Sequence, residues 1–167
     1  MALKVYLAGP DVFYPDALAR GRQMQELCAS RGFIGLYPLD GSDSDGACPG
    51  SRGIFEANVR LIASADALVA NLRDFRGHEP DSGTVWEVAY ALAIGKPVVG
   101  YLPSPESVLQ RVSKGSGAPV DAQGCAIENF GLPLNLMLAH SLTAIAYGPE
   151  EGFAGLKAAL SEVSCIF

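Results

Sequence analysis

Two carboxylates six residues apart, Asp81 and Glu87, stand in the run Asp81-Ser82-Gly83-Thr84-Val85-Trp86-Glu87-Val88. If this run is helical, Gly83 lies one turn before Glu87 on the same face. A glycine inside a helix costs roughly 1 kcal/mol relative to alanine. A bare stretch of helix beside a carboxylate gives a ligand room to approach Glu87. Two carboxylates near one site suit glycosidic chemistry: one, ionised, attacks an anomeric carbon, and the other holds or passes a proton. Each also has an ordinary role. Acids are favoured near helix N-termini even when they only face solvent, and Asp81 is well suited to capping the helix. The small and apolar neighbours of Glu87 argue against the first role; the second stays open.

Other polar and aromatic residues fall where they can serve the same site. Tyr6 sits among aliphatic residues, where a tyrosine is either core with its hydroxyl satisfied or an orienting donor to a nucleophile. Phe13 and Tyr14 follow the same apolar stretch and can stack on a base or pack on the core. Asn135 stands among leucines in Leu132-Pro133-Leu134-Asn135-Leu136-Met137-Leu138. A buried amide needs partners, so it is a cap, a core hydrogen bond or a ligand contact, and such a contact could reach across a subunit interface. Gly9-Pro10 is not a phosphate-binding loop, because neither GxGxxG nor GxxxxGK[ST] is present. A nucleoside-triphosphate or dinucleotide enzyme is therefore poorly supported. The absence of GxSxG argues against a serine hydrolase.

The elements that must position these residues alternate between strand and helix. Leu3 to Ala8, Asp66 to Leu72 and Pro97 to Leu102 are short apolar runs of the kind covered on both faces of a parallel sheet. Phe33 to Tyr37 and Leu142 to Ala146 complete five strands. Helices are expected over Asp16 to Arg31, Gly53 to Ala63 with Ser51 as cap, Ser82 to Ile94, Pro105 to Val112, a short stretch before His140, and Glu150 to Val163. Gly95-Lys96-Pro97 is a strong stop signal. The expected architecture is one α/β domain over residues 1–167, a doubly wound five-stranded parallel sheet flanked by helices. In such sheets ligands bind beyond the carboxyl ends of the strands. Asp40 to Gly50, rich in Gly, Ser and Asp, is read as a candidate lid.

Composition narrows the partners. Hydrophobic residues make up 49% of the 167, which marks a globular chain. A net charge of −6 disfavours nucleic acid or an anionic membrane as partner, since phosphate binding needs a basic surface. No apolar run approaches membrane-spanning length. Cys28, Cys48, Cys125 and Cys165 are scattered, as are His78 and His140, so no metal spacing appears. Reduced thiols in a cytoplasmic protein are the expectation.

Taken together, these pieces resemble the nucleoside 2-deoxyribosyltransferase family. The resemblance runs from Lys4-Val5-Tyr6-Leu7-Ala8-Gly9-Pro10 to the Asn135-Leu136-Met137 region. Its most specific part is Phe75-Arg76-Gly77-His78-Glu79-Pro80-Asp81-Ser82-Gly83-Thr84. The resemblance implies that Glu87 is the nucleophile, Asp81 the base-contacting acid and Tyr6 the residue that orients the nucleophile. Phe13 would lie near the base. Asn58 would contact the sugar, where some members carry aspartate. Gly9 and Gly83 join the substrate-binding set. Asn135 would reach the sugar 5′-hydroxyl of a neighbouring subunit, with Met137 beside it, so a homo-oligomer is implied. The implied substrates are 2′-deoxyribonucleosides and free nucleobases, with no cofactor and no metal. Two other functions stay open: a 2′-deoxynucleoside 5′-monophosphate N-glycoside hydrolase, with Ser51 and Arg52 available for a phosphate, and a non-catalytic nucleotide-sensing module on the same scaffold.

Overall fold

The computed structural model describes residues 2–40, 50–113 and 119–164. Five strands, β1 (Lys4–Ala8), β2 (Ile34–Leu36), β3 (Ala67–Asn71), β4 (Val98–Leu102) and β5 (Ala144–Tyr147), form one sheet in the order β2-β1-β3-β4-β5. Every pairing is parallel. All five residues of β3 and of β4 are buried, as their unbroken apolar sequences require of strands covered on both faces. The helices are α1 (Ala17–Ser30), α2 (Gly50–Ser64), α3 (Ser82–Ala93), α4 (Val108–Val112), α5 (Leu136–Ser141) and α6 (Pro149–Ser164), and Pro10–Phe13 forms a single 3-10 turn after β1.

Strand pleating sorts the core into two layers. Val5, Leu7, Val69 and Val99 face one side with Phe153 and Leu156 of α6. Tyr6, Ala8, Leu68 and Ala70 face the other with Ile62 of α2 and Val88 of α3. The chain leaves β1 toward β2 through α1 on the first face. It leaves β3 toward β4 through α3 on the second. Neighbouring strands β1 and β3 therefore send their following segments to opposite faces, which opens a crevice at their carboxyl ends. Tyr6 belongs to the α2/α3 layer, so pleating alone decides which side of the sheet can use its hydroxyl.

Some boundaries differ from the sequence expectation. Ser51 lies inside α2, which already includes Gly50, so it does not cap that helix. Helix α4 is only five residues long, begun by a Ser107–Gln110 capping box rather than at Pro105. Strand β5 starts two residues later than Leu142 because Thr143 is spent anchoring the edge: its hydroxyl accepts from the Val98 amide at 3.0 Å. Of the candidate lid, Asp40 to Gly50, residues 41–49 lie outside the described residues.

Candidate active site

Helix α3 sets the geometry. Asp81 caps it, its Oδ2 accepting from the Thr84 amide at 2.9 Å and from the Thr84 hydroxyl at 3.1 Å. The helix ends at Ala93, just before the Gly95-Lys96-Pro97 stop. Three faces result. Thr84, Val88 and Ala91 are buried on the sheet side. Gly83, Trp86 and Glu87 meet Phe55 and Asn58 of α2 around an open pocket of about 290 Å³. Val85, Ala89 and Leu92 line a different groove, shared with Asn135, Met137 and Leu138.

In the first pocket the Tyr6 hydroxyl donates to Glu87 Oε1 at 2.6 Å, and Asn58 Nδ2 donates to the same oxygen at 3.3 Å. Burial pushes the Glu87 carboxyl up to about 7 and the negative charge of Asp81 adds to this, while the Tyr6 and Asn58 hydrogen bonds pull it down. Burial and the neighbouring carboxylate hold the Tyr6 phenol well above the ordinary tyrosine range, so it remains a donor. Asn58 Oδ1 is buried without a hydrogen-bond partner, an acceptor awaiting a donor at a site where a polar atom without one is costly. Gly83 contributes space: a Cβ there would meet only the Asp81 carboxylate, at 3.1 Å. An aromatic wall flanks the opening, with Trp86 stacked on Tyr90 at 5.3 Å between ring centroids and Phe55 tilted against Trp86 at 5.3 Å.

The structure thus brings together Tyr6, Asn58, Gly83 and Glu87, with Asp81 at the N-cap of the same helix, six residues before Glu87. Phe13 stands at the crevice mouth, half exposed and stacked on Phe75 at 5.4 Å. Tyr14 does not join it, because the Arg20 guanidinium covers its ring at 4.1 Å. Gly9 serves packing: a Cβ there would meet Asn71 Cβ at 2.8 Å. Asn135 and Met137 lie in the groove on the far side of α3. Asn135 caps α5 through the Met137 amide at 3.0 Å and donates to Glu128 at 2.6 Å. Arg52, a candidate phosphate ligand, pairs with Glu56 at 2.7 Å.

Sequence reasoning did not single out a second buried network that holds the crevice. Asn71, at the end of β3, donates to Asp11 Oδ2 at 2.7 Å, and both residues are buried. Arg20 reaches Asp11 Oδ1 at 3.3 Å and Arg73 Nε donates to Asn71 Oδ1 at 3.1 Å. The signal for Asn71 is a polar residue ending an otherwise apolar strand. Asp11 carries none beyond following Gly-Pro. Thr84 was likewise readable only as the third residue after a capping Asp.

Comparison with known proteins identifies the family and the fold. Residues 5–137 match the family model described as nucleoside 2-deoxyribosyltransferase. An uncharacterized protein of Schizosaccharomyces pombe is 30% identical over 89% of this chain and 84% of its own. A Thermofilum pendens protein provisionally named 2′-deoxynucleoside 5′-phosphate N-hydrolase 1 is 35% identical over 58% of this chain and 66% of its own. A 2-desoxiribosyltransferase from Leishmania mexicana superposes with a TM-score of 0.76 at 34% identity, covering 91% of this chain and 95% of that one. A 2-deoxyribosyltransferase of Bacillus psychrosaccharolyticus shares the fold, with a TM-score of 0.60 at 21% identity over 89% of this chain and 88% of that one.

Proposed function

Because the chain belongs to the nucleoside 2-deoxyribosyltransferase family, we propose that it moves a 2-deoxyribosyl group from one nucleobase to another through a covalent intermediate on Glu87. The observation that carries this reading is the state of the Glu87 carboxylate. It is half-buried in the lining of an open pocket, and both of its hydrogen bonds, from Tyr6 and Asn58, go to Oε1. Oε2 is left to attack.

In the first step Glu87 Oε2 forms a bond to C1′ of a 2′-deoxynucleoside. The C1′–N bond breaks, and its electron pair leaves with the base, which takes up a proton. Asp81, with its Oδ2 occupied by Thr84, has Oδ1 for the departing base. In the second step a nitrogen of another base attacks C1′ from the vacated side, that base gives up its N–H proton, and the C1′–O bond returns its electrons to Glu87. Two inversions give retention. A sugar without a 2′-hydroxyl lacks one electron-withdrawing group, so the oxocarbenium-like transition state forms more readily. The unpartnered Asn58 Oδ1 is placed to accept from a sugar hydroxyl. Asn135 completes a neighbouring copy's site in a homo-oligomer. Among the described residues no helix is long and apolar enough to cross a membrane.

The likeness to a protein named as an N-hydrolase supports a second reading, in which water takes the place of the acceptor base. A base-exchange assay separates the two. With 2′-deoxyinosine as donor and adenine as acceptor, deoxyadenosine is expected from the wild type and not from Glu87→Ala. Release of free deoxyribose at the same rate with and without adenine would reject transfer in favour of hydrolysis.

A further inference from the structure

Arg76 sits in an unusual position for a cation on an acidic chain. It is the one non-glycine residue with positive φ among the described residues, at 55°. Its loop is closed by the Phe75 amide donating to the Glu79 carbonyl at 3.0 Å. Its guanidinium lies over two rings at once, 4.7 Å from the Phe75 centroid and 5.1 Å from that of Phe13. Carboxylates stand nearby in sequence at Asp74, Glu79 and Asp81, yet Asp74 pairs with His78 and Arg111, and Arg76 makes no ion pair among the described residues. A left-handed backbone is disfavoured for a non-glycine residue and persists where the surroundings enforce it. Here it turns the side chain back onto the aromatic pair.

That pair spans the crevice. Phe13 comes from the turn after β1 and Phe75 from the loop after β3, the two strands that flank the switch point. A guanidinium over a ring keeps N–H donors free at the edges of its planar fork. A flat heterocycle entering the same crevice can present its own edge to that fork. Two neighbouring acceptors match such a fork; an acceptor beside an amino group does not.

We propose that Arg76, held over the Phe13–Phe75 stack at the crevice mouth, selects the base by donating to the O6/N7 edge of a 6-oxopurine. Hypoxanthine and guanine then bind in preference to adenine, whose N6 amino group opposes the fork. This rests on the nucleoside reading of the site, and it assigns Arg76 no part in the glycosyl chemistry.

Trp86 is the single tryptophan of the chain and lines the Glu87 pocket, so its fluorescence reports ligand binding. The test titrates 2′-deoxyinosine and 2′-deoxyadenosine into Glu87→Ala, which cannot turn them over. The same titrations follow on Glu87→Ala carrying Arg76→Ala or Arg76→Gly, the latter keeping the left-handed backbone without strain. The parent is expected to favour deoxyinosine by roughly tenfold or more, as for one bidentate arginine contact. Both Arg76 variants should bind the two nucleosides equally. A parent without preference, or a preference that survives both substitutions, overturns the proposal. Equal weakening of deoxyinosine and deoxyadenosine 5′-monophosphates, with the nucleosides unaffected, overturns it in favour of a phosphate contact. Failure of the parent to bind any nucleoside or nucleotide sinks this inference and the nucleoside reading together. Binding with the expected preference but no base exchange by the wild type sinks only the transferase activity.

Discussion

Replacing Tyr6 by phenylalanine tests the heart of the site, because it removes one hydroxyl and leaves the ring that fills the α2/α3 layer. The lost hydrogen bond, 2.6 Å to Glu87 Oε1, favours the ionised carboxylate. A hydrogen bond to a charged group contributes roughly 1.5–3 kcal/mol and one pKa unit corresponds to about 1.4 kcal/mol, so Glu87 should rise by about one to two units. The retained Asn58 bond favours the lower end. Glu87 starts at about 7. At neutral pH its ionised fraction then falls from about one half to roughly a tenth or less. The nucleophile must be ionised, so kcat/KM for base exchange should rise with pH through about 7 in the wild type. In Tyr6→Phe the same limb should lie about one unit or more higher, with most of the lost rate recovered at alkaline pH. The assay is deoxyadenosine formation across the pH range. If the limb of Tyr6→Phe stays within about 0.3 unit of the wild type's while the rate falls at every pH, the phenol does not tune Glu87 and the reasoning fails.

Three further outcomes follow from the same contacts. Burial raises the Glu87 carboxyl from 4.5 to about 7. The folded state therefore favours the protonated form, and stability present below pH 4.5 is lost as pH climbs to about 7, by at most about 3 kcal/mol. Glu87→Gln should escape that loss, and denaturant titrations at low and neutral pH that show identical losses for both proteins would count against it. Gly9→Ala should destabilise by about 1–3 kcal/mol, since its Cβ would fall 2.8 Å from Asn71 Cβ between two packed strands; an unchanged thermal midpoint would refute the close approach. Asn135→Ala and Glu87→Ala should each abolish exchange, and mixing them should restore part of it, because a mixed oligomer contains sites with both residues intact. A mixture as inactive as its components would place Asn135 outside the neighbouring site.

The parts of this molecule that local pattern governs are readable in the sequence, and the parts that topology governs are not. Strands β1, β3 and β4 announce themselves as unbroken apolar runs because a parallel sheet covered on both faces asks for nothing else. Helix α3 announces both its ends, through the Asp81 cap and the Gly95-Lys96-Pro97 stop. Tyr6 and Glu87 are 81 positions apart. No local spacing reveals their contact, so only the resemblance to known sequences paired them. The Asp11–Asn71 clamp had no such help: each residue reads as an ordinary polar end to a strand or loop until β1 and β3 are known to be neighbours. The Trp86–Tyr90 stack was accessible in principle, since residues four apart share a helix face.

The two sides of α3 carry the argument for assembly. Glu87 faces α2, and Asn135 faces the groove made by Val85, Ala89 and Leu92. A helix with its side chains is about 10 Å across, and the α3 faces toward the sheet and the two pockets are fixed by Thr84, Val88 and Ala91, all buried. Rotating α3 to bring Glu87 round to Asn135 would expose those three residues and break the Asp81 cap. Within one chain the amide therefore cannot serve the carboxylate. If Asn135 takes part in glycosyl transfer, it does so in a second chain, and the largely apolar groove beside it, with Met137 74% exposed, is the face that chain would engage. If the protein is active as a monomer, Asn135 does no more than cap α5 and hold Glu128.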